Sequence, residues 1–171
     1  YLFLVDDAIF VNEFSIKNII EQLQKRNSLI GFSLRLGTNT SYCYSLDKPQ
    51  KLPSFDIIDE NYMIYNWTKE ECDFNYPLEI SSSIFRAQDL LPILTLASYA
   101  NPNTLESMLD SLKHLFEKYR PNLMCHIKST AFCMPVNRVQ SIYENRTGNN
   151  CELTPEKLAQ LLESSKKVDV L

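Results

Sequence analysis

The sequence predicts an α/β fold, and two observations near its start support this. Residues 1–5 form an uninterrupted apolar run, which is typical of a β-strand covered on both faces. An amphipathic segment and a second apolar run follow at residues 15–26 and 29–36, so strand, helix and strand succeed one another as in an α/β unit. The 171 residues, of which 44% are hydrophobic, suffice for one core, and we expect a single domain over residues 1–171.

The first half of the chain alternates strand and helix signals. Residues 15–26 carry Ile and Leu at helical spacing, and Ser15 is the expected N-cap. Residues 29–36 have strand character, and Gly and Thr at positions 37–40 predict a turn. The next predictions are a short strand over 42–46, a surface loop over 47–59 and a strand over 62–67.

Three helices are predicted in the second half of the chain. Helices are expected over 89–97 and over 104–119, the second beginning at Asn103 or Thr104. Residues 123–134 are predicted to form a strand or an irregular extended segment. The last helix is expected to begin with Thr154 as N-cap, followed by Pro155, and to run to about residue 166.

Composition excludes several functional classes. The formal net charge is −4, and Lys and Arg are scattered among acids, which argues against a nucleic-acid surface. No apolar stretch approaches the roughly 20 residues of a membrane span, and the start has no signal-peptide pattern, so we expect a soluble, cytoplasmic protein. The five cysteines include no C-x-x-C pair, which favours reduced thiols over a metal or redox motif.

Two adjacent acids, Asp6 and Asp7, end the first apolar run. Ligands of open α/β sheets bind beyond the carboxyl ends of the strands, so both residues stand where a ligand is expected. Carboxylate oxygens suit Mg²⁺ or Mn²⁺, which commonly bind through one or two carboxylates and substrate phosphates. The alternative is that the acids simply begin a solvated loop.

Several longer segments carry a family resemblance. They read LFLVDDAIF, SLIGFSLRLG, DFNYPLEISSSIFR, NPNTLE, MPVNRVQ and ENRTG. Together they resemble the downstream part of a bacterial glycosyltransferase family with the GT-A fold, and they cover nearly the whole chain. The resemblance implies a nucleotide-sugar donor and a carbohydrate or other hydroxyl acceptor. It also implies that residues 1–171 form the metal- and acceptor-side part of such a fold, without its N-terminal nucleotide-binding βα units.

The resemblance also implies a metal site. Val5-Asp6-Asp7 fits the x-D-D form of the D-x-D motif, which holds Mn²⁺ or Mg²⁺ against the diphosphate of the donor. Asp7 would bind the metal directly, and Asp6 would lie nearer the ribose or a bound water. His126 is a further candidate ligand, as in some GT-A enzymes, although a single His is also often structural.

Glu79 and Glu106 are the candidates for the catalytic base, because an inverting sugar transfer needs a carboxylate within hydrogen-bond reach of the attacking hydroxyl. Glu79 lies in an extended segment. Glu106 lies in the predicted first turn of a helix, where interaction with the helix dipole alone also explains an acid.

Five further residues are expected to contact substrate. Asn137 and Arg138 follow a proline in an irregular segment, from which polar side chains reach phosphates or sugar hydroxyls, or else fix the loop. Asn101 and Asn103 belong to the NPNTLE segment. Trp67 could stack on a sugar or belong to the core.

Two other readings remain at the sequence level. The family tends to have Asp-Gly or Ser-Gly and then His where this chain has Ser82-Ser83, and together with the missing βα units this allows a non-catalytic remnant or binding module. A phospho-receiver signalling domain also opens with an apolar strand ending in two acids, and residues 55–59 mimic its phospho-acceptor strand. Against it, residues 37–53 contain turns and prolines where that fold needs a helix.

Overall fold

A computed structural model describes residues 1–134 and 153–167, which form a mixed α/β fold. The elements in chain order are β1 (Leu2–Leu4), β2 (Ala8–Phe10), α1 (Ile16–Lys25), β3 (Leu29–Ser33), β4 (Tyr42–Cys43), β5 (Lys48–Pro49), β6 (Phe55–Ile58), β7 (Tyr62–Asn66), β8 (Ser82–Phe85), α2 (Ala87–Leu96), α3 (Pro102–Leu112), β9 (Asn122–His126), β10 (Ala131–Cys133) and α4 (Pro155–Glu163). Short 3₁₀ turns lie at Trp67–Lys69, Cys72–Asn75 and Lys113–Leu115.

The main sheet of the described residues has six strands in the order β1-β8-β3-β9-β7-β6. Strands β3 and β9 are parallel, and every other neighbouring pair is antiparallel. Strands β1, β3 and β9 therefore run in the same direction and end at the same edge of the sheet. Two small antiparallel pairs, β10 with β2 and β4 with β5, lie outside this sheet.

Two hydrophobic clusters cover the two faces of the main sheet. Successive residues of a strand point to opposite faces, and along β9 Leu123 belongs to one cluster and Met124 to the other. Leu90 of α2 and Leu109 of α3 join the first cluster, whereas Ile19 of α1 joins the second. The sheet is thus packed between α1 on one face and α2 and α3 on the other.

The helix starts show which local predictions hold. Ser15 caps α1 by accepting a hydrogen bond from the Asn18 N–H at 3.3 Å, which confirms that prediction. Thr154 likewise caps α4 by accepting from Lys157 N at 3.3 Å. The predicted start of α3 is wrong: Asn101 is the N-cap, and the helix ends at Leu112 rather than at residue 119.

The strand predictions are wrong where the strand boundaries depend on pairing with distant segments and not on local composition. Residues 123–134 divide into β9 and β10, and residues 47–59 contain β5 and β6 instead of forming only a loop. The expectation that the first strand is covered on both faces is also wrong, because Leu2 and Leu4 are 37% and 47% exposed.

The position of β6 decides against a phospho-receiver domain. β6, which carries the proposed mimic of the phospho-acceptor strand, lies at the opposite edge of the main sheet from β1. Asp56 therefore cannot share a site with Asp6 and Asp7. The antiparallel strands β7 and β8 also differ from the parallel sheet of doubly wound folds such as receivers.

A buried arginine ties α1 to the sheet and to α2. The Arg86 guanidinium donates to the carbonyl oxygens of Leu29 at 2.6 Å, Arg26 at 2.8 Å and Leu23. It also lies 3.4 Å from a carboxylate oxygen of Asp89 in the first turn of α2. Carbonyls at the C-terminal end of α1, which have no partner within the helix, are thereby satisfied.

Candidate functional site

The candidate site lies at the edge of the main sheet where β1, β3 and β9 end. Asp6 and Asp7 follow β1, and Arg35 follows β3 closely. β8 runs in the opposite direction, so Glu79, a few residues before its start, lies at the same edge. The chain thus brings charged residues from distant segments to the carboxyl ends of parallel strands, the usual place for a ligand in an α/β sheet.

Asp6 and Asp7 occupy a turn between β1 and β2. The turn is closed by a hydrogen bond from Ala8 N to Val5 O at 3.2 Å, and the Asp7 carbonyl accepts from Met134 N at 3.0 Å. Asp6 is exposed and Asp7 is half-buried. Burial, reinforced by the charge of Asp6, raises the pKa of the Asp7 carboxyl. A cation bound to this pair would relieve its repulsion.

Glu79 is a buried carboxylate with several hydrogen-bond donors around it. Its side chain belongs to a residue only 2% exposed. One carboxylate oxygen accepts from the Ser81 N–H at 2.7 Å and from the Ser81 hydroxyl, and the other accepts from the Ser83 hydroxyl. These bonds fix the orientation of the carboxylate. Ser83 therefore helps to hold the Glu79 side chain in place.

Glu106, near the start of α3, is hydrogen-bonded to the segment that contains Glu79. Its Oε1 accepts a hydrogen bond from Ile80 N at 3.1 Å. Burial raises the pKa of Glu106; the charge of Glu79 adds to this effect, whereas the Ile80 bond and Arg35 oppose it. Two candidate bases that are far apart in sequence therefore lie together.

Arg35 is a central charge of this cluster. Its Nη1 lies 3.4 Å from Oδ1 of Asp73, and its side chain is 19% exposed. Burial lowers the pKa of Arg35, but the negative charges of Glu79 and Asp73, followed by that of Glu106, outweigh it and raise the pKa overall. Arg35 and Asp73 were not predicted from the sequence. A charged residue directly after a buried apolar run was the available signal for Arg35, as it was for Asp6 and Asp7.

Cys133 links Asp7 to the glutamates. Burial, followed by the charge of Asp7, raises the pKa of the Cys133 thiol to about 11, while a hydrogen bond with Ser81 opposes the rise. Ser81 also donates to Glu79. A series of neighbouring residues therefore connects Asp7 to Glu79 through Cys133 and Ser81. The acidic pair and the two glutamates thus belong to one polar region.

A curated relative connects the chain to sugar transfer. The bifunctional glycosyltransferase pgtA of Dictyostelium discoideum is 26% identical over 191 aligned residues, which cover 98% of this chain and 24% of the relative. The chain therefore spans about a quarter of the relative's length. No family model and no solved structure matches the chain. The similarity supports a relationship to glycosyltransferases.

Trp67 does not belong to the candidate site. It is 0% exposed, and its indole N–H donates to the Arg120 carbonyl at 2.7 Å. A ring without an open face cannot stack on a sugar, so the expected sugar contact of Trp67 is corrected to a core role.

His126 packs in an aromatic group at the end of β9. Its ring centroid lies 4.9 Å from that of Phe32 and 5.2 Å from that of Tyr62, and burial lowers its pKa. Strands β8 and β3 separate β9 from β1, which amounts to about 14 Å at the usual strand spacing. We therefore leave His126 out of the proposed metal site.

Four candidate substrate contacts remain, and two of them lie at the start of α3. Asn101 caps α3: its Oδ1 accepts from Thr104 N at 3.0 Å, and its own N–H donates to the Thr104 hydroxyl at 3.1 Å. Asn103 lies in the same first turn and is half-buried. Asn137 and Arg138 lie outside the described residues.

Two wider features of the described residues bear on the site. Within residues 1–134 and 153–167, no group of three or more His, Cys, Asp or Glu side chains is arranged to hold a metal ion. None of the helices in these two ranges has the length and apolar character needed to cross a membrane.

Proposed function

We propose that this chain is the metal- and acceptor-side part of a glycosyltransferase with a GT-A-like fold. It would transfer a sugar from a nucleotide-sugar donor to an acceptor hydroxyl. The observation that carries the proposal is the gathering of Asp7, Glu79 and Glu106 at the carboxyl-end edge of the sheet. The similarity to a glycosyltransferase agrees with it.

The acidic pair suits a cation that is shared with a diphosphate. Asp6 and Asp7 would hold Mn²⁺ or Mg²⁺, because their adjacent carboxylates supply oxygen donors and the raised pKa of Asp7 reflects repulsion and burial that a cation would relieve. Two carboxylates fill only part of an octahedral shell, so the donor must supply further oxygens. When bound, such an ion stabilises negative charge on the leaving diphosphate.

Glu106 is the better candidate for the general base. Both oxygens of Glu79 accept hydrogen bonds from serine groups, whereas no described residue donates a hydrogen bond to Oε2 of Glu106. Burial raises the pKa of Glu106, which makes its carboxylate a stronger proton acceptor. Glu106 then takes the proton from the acceptor hydroxyl, and Glu79 holds the backbone around it.

The test is sugar transfer by the full-length protein supplied with Mn²⁺ and a panel of nucleotide sugars and sugar acceptors. Glu106→Gln should lower kcat by about 10²-fold to 10⁴-fold, the usual contribution of a general base. Glu117→Gln removes an exposed glutamate beyond the C-terminal end of α3 and should leave kcat unchanged. Full activity in Glu106→Gln would exclude Glu106 as the base, and no transfer by the wild-type protein would contradict the proposed function.

A further inference from the structure

Ser83 lies buried in the middle of the main sheet. Phe3 of β1 and Ser33 of β3 are its partners on the two neighbouring strands, and Ser83 is 0% exposed. A buried hydroxyl costs free energy unless it forms a hydrogen bond, and strand positions are more often taken by β-branched or aromatic residues. The Ser83 hydroxyl donates to a carboxylate oxygen of Glu79. A polar side chain at this position is therefore explained by its contact with Glu79.

The Glu79 carboxylate connects this serine to the segment that precedes β8. Its second oxygen accepts from the Ser81 N–H at 2.7 Å and from the Ser81 hydroxyl. Hydrogen bonds to an ionised carboxylate are stronger than those between neutral groups. One side chain thereby ties the backbone of residues 79–81 to a fixed point within the sheet.

Ile80 lies within this segment and contacts the candidate base. Its N–H donates to Oε1 of Glu106 at 3.1 Å, while its side chain is 6% exposed and belongs to the first hydrophobic cluster. The N–H occupies one oxygen of the Glu106 carboxylate, and no described residue donates a hydrogen bond to Oε2. The place of the Ile80 N–H therefore decides how the Glu106 carboxylate is oriented.

Ser82 provides a comparison within the same strand. It is also 0% exposed, but its hydroxyl has no hydrogen-bond partner among the residues that the structure describes. Successive residues of a strand point to opposite faces of the sheet, so the Ser82 side chain lies on the face away from that of Ser83. The two buried serines differ in their contact with Glu79, which makes Ser82 a matched control.

We propose that Ser83 is a positioning residue for Glu106. It acts through the Glu79 carboxylate, which holds the Ile80 N–H against Oε1 of Glu106 and leaves Oε2 to take the acceptor proton. The catalytic meaning of this inference rests on the proposed function. The series of hydrogen bonds is present whether or not sugar is transferred, so it can be tested by itself.

The test is an NMR titration of the full-length protein labelled with ¹⁵N-isoleucine and with ¹³C at the glutamate carboxyls, assigned with Ile80→Val and Glu106→Gln. In the wild type, the Ile80 amide proton should shift with the same midpoint as the Glu106 carboxyl carbon, because protonation weakens the hydrogen bond between them. In Ser83→Ala this shift should largely disappear, and the Ile80 amide should exchange with solvent about tenfold faster, as for loss of a hydrogen bond to a charged group. Ser82→Ala should retain both properties.

Ser83→Thr keeps a hydroxyl at position 83 and should retain the pH response of the Ile80 amide. An unchanged Ile80 amide in Ser83→Ala, or equal losses in Ser83→Ala and Ser82→Ala, would overturn the proposal. The wild-type titration covers the case in which Ser83→Ala does not fold, because an Ile80 amide that does not follow Glu106 contradicts the proposal without any substitution.

Sugar transfer by the same variants tests the catalytic meaning. Ser83→Ala should lower kcat about tenfold with little change in KM, since a misplaced base affects the chemical step more than substrate binding. Ser82→Ala should leave both unchanged. A wild-type protein without transferase activity contradicts the proposed function alone, whereas an active protein whose Ile80 amide does not follow Glu106 contradicts the positioning role alone.

Discussion

At the scale of single residues, the buried Glu79 and the half-buried Glu106 differ in what surrounds them. Glu79 accepts hydrogen bonds from Ser81 and Ser83, and these bonds compensate for the burial of its carboxylate. Glu106 accepts one backbone bond and has a raised pKa. Burying the charged form of Glu106 therefore costs stability, as expected of a residue proposed to act as a base.

The pH dependence of stability should show this cost. Because the folded-state pKa of Glu106 lies above the ordinary value of a glutamate, the folded protein binds more protons than the unfolded one between these two values. The free energy of unfolding therefore falls as pH rises through this window. Glu106→Gln removes the effect and should be at least as stable as the wild type at neutral pH, measured by urea unfolding at a series of pH values.

Glu117→Gln is the control in the same titration, since its side chain is exposed. A Glu106→Gln protein that is less stable than the wild type at pH 7 by more than about 1 kcal/mol, the typical effect of a destabilising substitution, would contradict this account.

Sequence reasoning identified some residues of the candidate site and missed others for a physical reason. Asp7, Glu79 and Glu106 could be proposed because each is an acid beside an apolar segment or a helix start. Asp73 and Cys133 could not, because their importance comes from Arg35 and Asp7, which lie far away in sequence. Trp67 shows the converse error, since an aromatic residue after a strand does not reveal which way its ring points.

At the scale of elements, local chemistry was predictable and pairing was not. The caps of α1 and α4 depend on residues within one helical turn, and both were predicted. The division of residues 123–134 into β9 and β10 depends on partners, because β9 pairs with β3 and β7 while β10 pairs with β2. No feature of that segment alone indicates two different partners.

The contacts of Arg86 give a prediction at this scale. Arg86→Met keeps much of the side-chain volume but removes the guanidinium that donates to the carbonyls of Leu29 and Arg26. The free energy of unfolding should fall by about 1.5–3 kcal/mol, the range for hydrogen bonds to charged groups, as measured by chemical denaturation. Lys25→Met is the matched control: its ion pair with Glu21 spans 4.0 Å with the lysine side chain 65% exposed, so its loss should cost at most about 0.5 kcal/mol. Equal losses in both variants would show that Arg86 adds no more than a surface charge.

At the scale of the whole molecule, the two edges of the main sheet differ. β1 presents Leu2 and Leu4, which are 37% and 47% exposed, and it carries no charged residue. β6, at the other edge, carries Asp56, and charges on edge strands discourage pairing with another chain. The described residues thus leave one protected and one unprotected edge.

The polypeptide of residues 1–171 should therefore self-associate through β1 as its concentration rises. Leu4→Lys places a charge on this edge and should shift the protein toward the monomer in size-exclusion chromatography with light scattering. Ile57→Lys, on the edge that already has an acid, should have little effect. A wild-type polypeptide that stays monomeric at all concentrations, or equal effects of both lysines, would contradict the prediction.

The parallel pairing of β3 with β9 also has a consequence for how the protein reaches its native state. The side chains of Ser28 and Asn122, next to these strands, are hydrogen-bonded across 94 positions of sequence. Closing a loop of that length costs about 4 kcal/mol of chain entropy before any contact repays it, and such high contact order favours slow folding. A fragment ending before β9 would lack the strand that joins β3 to β7, so neither half is expected to fold alone. We therefore expect the candidate site, which lies at the ends of these strands, to form late in folding, and a variant that slows this closure should delay its formation without changing any residue of the site.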